Sequence, residues 1–320
     1  MAKCPFFGLC GGCKYDFDAD DYRAKKVNDL PRGIDGANAV WGTPGTRRRA
    51  DFVALNNHFG FYRATSRDIV DVNHCPNMVP EIDAILPDLA ALPWGGLASV
   101  LVTLCDNGIV VNVTSGVPYC SVAFRDGVQK LPENVIRWTW NGVIVRDIAA
   151  PVVSFGDMTV PFPDSGFLQP TIQTESALRD MVVAAVANSK HVADLFCGLG
   201  CFTFATGADG FDIVGAVGSK RDLFKRPLGS QRLTEFDAII MDPPRAGAID
   251  QCKLLAASNV PRVVYISCNP ATWMADRWIL ERGGYKMTKC VPVDQFVGAA
   301  HWEIFSIFDK EITDTVGVAE

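Results

Sequence analysis

From about residue 170 the apolar positions change period in regular blocks. Thr174-Glu175 opens a helical stretch marked by Ala177, Met181, Val182, Ala185 and Val186, and residues 191–196 follow as a continuous run that reads as a buried parallel strand. The same pattern predicts strands over 211–216, 236–241 and 262–267 and helices over about 248–258 and 271–282. Two extended stretches, 285–293 and 301–308, close the chain and suit an antiparallel pair at a sheet edge. Strands alternating with helices in this way predict a doubly wound α/β domain of Rossmann-like form. Upstream the period is two: over 97–160 short alternations such as Ile109–Val113 and Val143–Val145 are broken by the hairpin dipeptides Asn107-Gly108 and Asn141-Gly142. A small antiparallel β domain is expected there. Residues 1–80 show little helix periodicity and carry turn signals at Gly8, Gly11-Gly12 and Pro44-Gly45. The expected divisions are therefore 1–80, 81–160, 161–310 and an acidic tail at 311–320.

Composition bounds the function classes. The chain has 320 residues, 48% apolar and 21% charged, enough for two compact units and too apolar for a largely disordered protein. Its formal charge of −6 excludes binding nucleic acid by bulk charge, so an RNA partner has to meet a local basic patch. Residues 41–67 supply one, with five arginines (Arg47, Arg48, Arg49, Arg63, Arg67) against Asp51 and with Trp41, Phe59, Phe61 and Tyr62 as stacking surfaces. A second patch holds Lys220, Arg221, Lys225 and Arg226 beside Asp222. A charge run is more often a solvated face, and Arg47-Arg48-Arg49 is the better candidate for phosphate contact. No apolar leader precedes a small-residue cleavage site, and the long uncharged run between Asp88 and Asp106 is broken by Pro93, Gly95 and Gly96. A cytoplasmic protein without a membrane partner is expected. Eleven cysteines, an odd number in a chain of this length, point to metal or catalytic thiols in a reducing compartment rather than to disulfides.

Five segments carry candidate chemistry. Cys4, Cys10 and Cys13 crowd into ten residues relieved by Gly8, Gly11 and Gly12, and Cys75 is the nearest later thiol. Four thiolates suit tetrahedral zinc or a [4Fe-4S] cluster, and spacing alone does not choose between them. Asp194-Leu195-Phe196-Cys197-Gly198-Leu199-Gly200 ends the first predicted parallel strand, where glycines let a ligand approach the backbone. It is not the dinucleotide fingerprint, because position 203 is Thr. Asp242-Pro243-Pro244-Arg245 forms a rigid strand-end loop that sets a carboxylate and a guanidinium at the rim. Cys268, in Ser267-Cys268-Asn269-Pro270, stands at the end of the next strand and is the candidate nucleophile, against a default of structural packing for a lone cysteine. Glu303, opening an apolar run, is the candidate general base.

Together these segments resemble the RNA uracil-C5 methyltransferase family over nearly the whole chain, in its iron-sulfur-containing 23S rRNA form without an N-terminal TRAM barrel. The resemblance implies a class I methyltransferase domain, S-adenosylmethionine as co-substrate and a [4Fe-4S] cluster on Cys4, Cys10, Cys13 and Cys75. It implies cofactor contacts from Gln169 (in Phe167-Leu168-Gln169), Phe196, Gly198, Gly200 and Asp242, addition of Cys268 to uracil C6, and removal of the C5 proton by Glu303. The implied partner is RNA, 23S rRNA ahead of tRNA, with no DNA and a monomeric enzyme. The chain departs from the family in having Thr171 where Asn is usual and Cys201 after the glycine loop. It also reads Gly215-Ala216-Val217-Gly218 where the second strand is expected to end in an acid that holds the cofactor ribose. Asp222 is then the acid left to face the adenine, and the segment 217–236 is short. Two other readings stand beside this one: an RNA-binding protein with a decayed cofactor site, and an amino-methyltransferase, whose chemistry needs no cysteine.

Overall fold

The computed structural model describes residues 4–164 and 166–311, so the expected acidic tail beyond Glu311 lies outside the described residues. The chain forms two compact units, both assembled from separate stretches. One takes the segment up to Asp29, Trp41–Ser176 and Asp294–His301; the other takes Leu30–Val40, Ala177–Val293 and the segment from Trp302.

The first unit begins with a short helix, α1 (Tyr22–Val27), followed by strands β1 (Arg49–Leu55), β2 (His58–Tyr62) and β3 (Ile69–Asp71). Helix α2 (Pro80–Ala90), strands β4 (Ala98–Cys105) and β5 (Gly108–Ser115), helix α3 (Val122–Gln129) and strands β6 (Val135–Trp140) and β7 (Val143–Asp147) complete its main layer. A separate ribbon pairs β8 (Val152–Phe155) with β9 (Met158–Pro161), and α4 (Ile172–Val186) then starts within this unit. The main sheet runs β3-β2-β1-β4-β5-β6-β7, so strands on both sides of residue 80 share one sheet. Local chemistry explains the tight turns: Asn56 and Asn57 take φ of 49° and 63° between β1 and β2, and Asn141 and Gly142 take 48° and 79° between β6 and β7. Positive φ at both central residues gives the twist-matched hairpin turn that Asn and Gly tolerate. The all-antiparallel expectation fails at one place. β5 and β6 pair in parallel because α3, capped by the Ser121 side chain on Phe124 N, carries the chain back across the sheet. An aromatic core of Phe52, Phe59, Trp94 and Trp138 takes in Phe124 from α3.

The second unit holds β10 (Val192–Leu195), α5 (Cys201–Thr206), β11 (Asp209–Asp212), β12 (Ser219–Lys220), α6 (Ser230–Leu233) and β13 (Ala238–Met241). It continues with α7 (Ile249–Ala256), β14 (Arg262–Ser267), α8 (Pro270–Arg282), β15 (Lys286–Val293) and β16 (Glu303–Asp309). The order is β12-β11-β10-β13-β14-β16-β15, parallel through β14, with β16 antiparallel to both its neighbours. Every residue of β10 and β13 is buried, as a sheet covered on both faces requires. This is the Rossmann-like arrangement expected, with the antiparallel pair at the edge. Between β11 and β13 only a two-residue strand and a four-residue helix intervene, which accounts for the short segment seen in the sequence.

Candidate active site and cysteine pocket

Three strand ends in the second unit bring the reactive side chains together. Asp242 follows Met241 at the carboxyl end of β13, and Cys268 follows Ser267 at the carboxyl end of the adjacent β14. Strand β16 runs the other way, and the register that pairs Ser267 with Ile304 directs Cys268 and Glu303 to the next opposing positions. Thiol and carboxyl therefore share one neighbourhood. Their electrostatics agree. Burial, then the carboxylates of Glu303 and Asp242, push the Cys268 thiol up to about 12, while Arg245 pulls it down. Burial and Asp242 hold the Glu303 carboxyl well above the usual carboxylate range. Cys268 remains partly accessible, whereas Glu303 is 2% exposed.

The loop after Asp242 is pinned from α8. Asn269 Nδ2 donates to Arg245 O at 2.9 Å and Thr272 Oγ1 donates to the same carbonyl at 3.2 Å. Further along the helix, buried Asp276 accepts from Ala248 N at 2.7 Å and from Tyr265 Oη at 2.5 Å. Asp276 belongs to no motif, and nothing in the sequence marked it.

The glycine loop turns sharply between β10 and α5, with Phe196, Gly198 and Gly200 at φ of 64°, 55° and 94°. A Cβ on Gly200 would come within 2.8 Å of the Phe204 ring, so packing and backbone both demand glycine there. Around Gly198 a Cβ would meet nothing within 4 Å, leaving that stretch of backbone open to a ligand. Two sequence assignments change here. The second strand ends at Asp212 and not at residue 216: Ile213 and Val214 look like strand but are exposed. An acid therefore does stand at the strand end, its carboxylate accepting from Gly198 N at 3.1 Å and from Val214 N at 2.7 Å. Asp222 caps its own turn, Oδ1 accepting from Phe224 N and Lys225 N at 3.1 and 3.2 Å. Phe224, 52% exposed, sets its ring 5.4 Å from that of Phe196. Asp194, fully buried, accepts from Thr203 Oγ1 at 2.7 Å, and burial pushes its carboxyl up to about 7. Gln169 lies in the first unit, where its side-chain oxygen accepts from Gln295 Nε2 at 2.6 Å.

In the first unit Cys4, Cys10, Cys13 and Cys75 line one cavity together with Phe6, Phe61 and Arg47. Burial, then Cys75, Cys10 and Cys4, push the Cys13 thiol up to about 12, and burial pushes Cys75 up to about 11. The thiols lie within electrostatic reach of one another. Among the described residues no three His, Cys, Asp or Glu side chains are gathered closely enough to hold a single metal ion. The arginine triplet is not the exposed phosphate clamp expected. Arg48 is buried, ion-paired with Glu175 and donating from Nε to Gln169 O at 3.1 Å. Arg47 faces the cysteine cavity and donates from Nε to Arg49 O at 3.0 Å. Arg49 lies with its guanidinium 4.8 Å from the centroid of the half-exposed Phe167 ring.

Over 96% of its length the chain is 35% identical to an uncharacterized RNA methyltransferase of Brucella suis, of which it spans 84%. Residues 212–311 match the family model described as tRNA (Uracil-5-)-methyltransferase. The chain belongs to the RNA uracil-C5 methyltransferase family. A further member, the 23S rRNA (uracil(1939)-C(5))-methyltransferase RlmD of Vibrio vulnificus, is 28% identical over 96% of the chain and 82% of its own length. The fold also matches the crystal structure of the Pyrococcus abyssi tRNA (uracil-54, C5)-methyltransferase in complex with S-adenosyl-L-homocysteine. That match has a TM-score of 0.70 at 20% identity and covers 92% of this chain and 83% of the other. This RNA methyltransferase thus carries the class I domain expected, and among its described residues no helix is long and apolar enough to cross a membrane.

Proposed function

We propose that the enzyme methylates C5 of a uridine in 23S rRNA, with Cys268 as nucleophile, Glu303 as the base that removes the C5 proton and S-adenosylmethionine as methyl donor. The observation that carries this reading is that Cys268, just past the end of β14, lies within electrostatic reach of both Glu303 at the start of β16 and Asp242 at the adjoining strand end. When bound, S-adenosylmethionine supplies the methyl group on a sulfonium. The glycine loop fits that molecule: open backbone at Gly198, the Phe196 and Phe224 rings beside it, and Asp212, rather than Asp222, to accept from ribose hydroxyls. Asp242 completes the proposed contacts within the second unit.

Uracil C5 is a weak nucleophile. As Cys268 Sγ bonds to C6, the C5–C6 π pair shifts toward O4 and C5 gains carbanion character. The thiol proton passes to water in that step, since Cys268 is only partly buried, and Glu303 is left free for the C5 proton. Burial and the carboxylates of Glu303 and Asp242 disfavour a standing thiolate, and Arg245, the neighbour that lowers the thiol, offsets the developing charge. After C5 is methylated, an ionised Glu303 accepts the C5 proton, the electron pair reforms the C5–C6 bond and Cys268 is expelled. The environment that favours the neutral form of Glu303 also makes its carboxylate a stronger proton acceptor. A base inside a helix cannot present C6 to a thiol, so the uridine has to be looped out. In this reading the first unit holds the RNA, with Arg49 as the phosphate contact left from the triplet. The similarity to the Vibrio vulnificus enzyme supports rRNA over tRNA.

The four thiols around one cavity, with an arginine to offset their charge, fit a [4Fe-4S] cluster. When bound it would join the 4–13 loop to Cys75. The test is to map 5-methyluridine in 23S rRNA and tRNA from cells with the intact gene, without it, and with Cys268→Ala. Loss of one 23S rRNA site in the last two is expected. A Cys268→Ala enzyme that methylates fully refutes the mechanism, and loss confined to tRNA refutes the target.

A further inference from the structure

The residues facing the cysteine cavity from outside the thiol set do two things at once. Arg47 lines the cavity with Cys4, Cys10, Cys13 and Cys75, and its charge acts on three of those thiols. On its other side the guanidinium lies 5.4 Å from the centroid of the Phe296 ring. Its backbone is fixed within the same cradle, Arg47 N donating to Asn77 O at 3.0 Å and Val79 N to Arg47 O at 2.9 Å. Asn77 repeats the pattern: Nδ2 donates to Cys13 Sγ at 3.4 Å and to Val297 O at 3.0 Å. Its buried Oδ1 has no partner, so the two donor bonds alone orient the amide. The next residue, Gly298, accepts at its carbonyl from Lys14 N and Tyr15 N, both at 2.8 Å. With φ of 81°, Gly298 also sits where a Cβ would come within 2.9 Å of Cys13 Sγ. The cysteine loop and the 296–298 segment are therefore bonded side by side, and that segment leads in the chain to Glu303.

We propose that Arg47 and Asn77 are positioning residues of the cysteine centre: Arg47 offsets the thiolate charge of a bound [4Fe-4S] cluster, Asn77 bonds Cys13 Sγ, and both tie the centre to residues 296–298. The inference rests on the cluster reading. Four thiolates in a partly buried space repel one another and resist desolvation, and a fixed guanidinium is the least costly counter-charge because it is always protonated and weakly hydrated. A positive charge held beside a cluster favours its reduced form, and hydrogen bonds to its sulfurs act in the same direction. Neither role is a phosphate contact.

The test uses the full-length chain reconstituted without oxygen from ferrous iron and sulfide, as wild type, Arg47→Met, Arg47→Lys and Asn77→Asp. Iron and acid-labile sulfide contents, visible absorbance, the rate of bleaching in air and the midpoint potential are read for each. Arg47→Met is expected to shift the reduced-to-oxidised ratio at a fixed potential about tenfold toward oxidised, about 59 mV lower for a one-electron couple. It is also expected to bleach several times faster, with Arg47→Lys recovering most of both effects. Asn77→Asp exchanges a donor for an anion at nearly constant shape, so it reports even where Arg47→Met does not fold, and its midpoint is expected to fall as well. A wild type that takes up equal iron and sulfide while Arg47→Met or Asn77→Asp keeps its potential and bleaching rate overturns the roles of Arg47 and Asn77 and leaves the cluster standing. A wild type that takes up neither overturns the cluster reading itself.

Discussion

The acidity of Cys268 is the most direct handle on the proposed chemistry. Burial, reinforced by Glu303 and Asp242 and opposed by Arg245, pushes its thiol up to about 12 from an ordinary value of 9.0. Near pH 7 a shift of that size leaves about 10³-fold less thiolate than an unperturbed cysteine holds. The more basic sulfur is the better nucleophile, and a Brønsted slope of about 0.4–0.5 returns roughly 15- to 30-fold of that loss. The net expectation is alkylation roughly 30- to 60-fold slower than that of a free thiol, before any hindrance from burial. Iodoacetamide labelling of the RNA-free enzyme at stepped pH, followed by mass spectrometry of the Cys268 peptide, measures this against N-acetylcysteine. Hindrance scales the rate equally at every pH, so the profile decides the matter. The Cys268 rate should rise about tenfold per pH unit through pH 10 while the reference levels off. The carboxylate of Glu303 raises the thiol only when ionised, so Glu303→Gln should speed labelling more at pH 9 than at pH 6. A plateau below pH 9 in the wild type would show that burial and the carboxylates do not govern this thiol.

Two further outcomes follow from single contacts. Lys26 and Asp294 form an ion pair in which both side chains are fully buried, with Tyr22 Oη donating to the same carboxylate at 2.7 Å. Lys26→Met should cost about 3–5 kcal/mol in urea unfolding by stranding a buried charge, and Lys26→Met combined with Asp294→Leu should recover most of it; equal losses in both would contradict that account. Asp212→Ala should weaken S-adenosylmethionine binding by about 10- to 100-fold in calorimetry, from the loss of hydrogen bonds to a charged acceptor, whereas Asp222→Ala should change it little. The opposite ranking would return the ribose to Asp222.

Legibility followed the range of the interactions involved. Strand β14 and the Cys268 motif were readable to the residue, because an apolar run that gives five consecutive buried residues, Val263–Ser267, and an Asn-Pro helix start are local signals. The β11 boundary was not, since Ile213 and Val214 have strand-like character and only their exposure, 58% and 37%, shows that the strand has ended. That slip hid Asp212. Arg48 was misread for a related reason: three successive arginines look like surface, and the Glu175 partner that draws one inward is 127 residues away. Asp276 and Asn77 act through backbone groups of distant loops, which no spacing rule anticipates.

The buried pair of Lys26 and Asp294 also sets a timetable for synthesis. Lys26 leaves the ribosome 268 residues before its counter-ion, which at bacterial rates is a wait of roughly 15–50 s. Throughout that interval the α1 segment carries a charge with no interior to enter, and Cys4, Cys10 and Cys13 stay near the surface of an unfinished unit. The 294–301 segment thus acts as a latch fitted near the end of translation. Nascent chains that stop short of it lack the backbone bonds from Lys14 and Tyr15 to Gly298 and are expected to be cut by proteases at the cysteine loop faster than full-length chains.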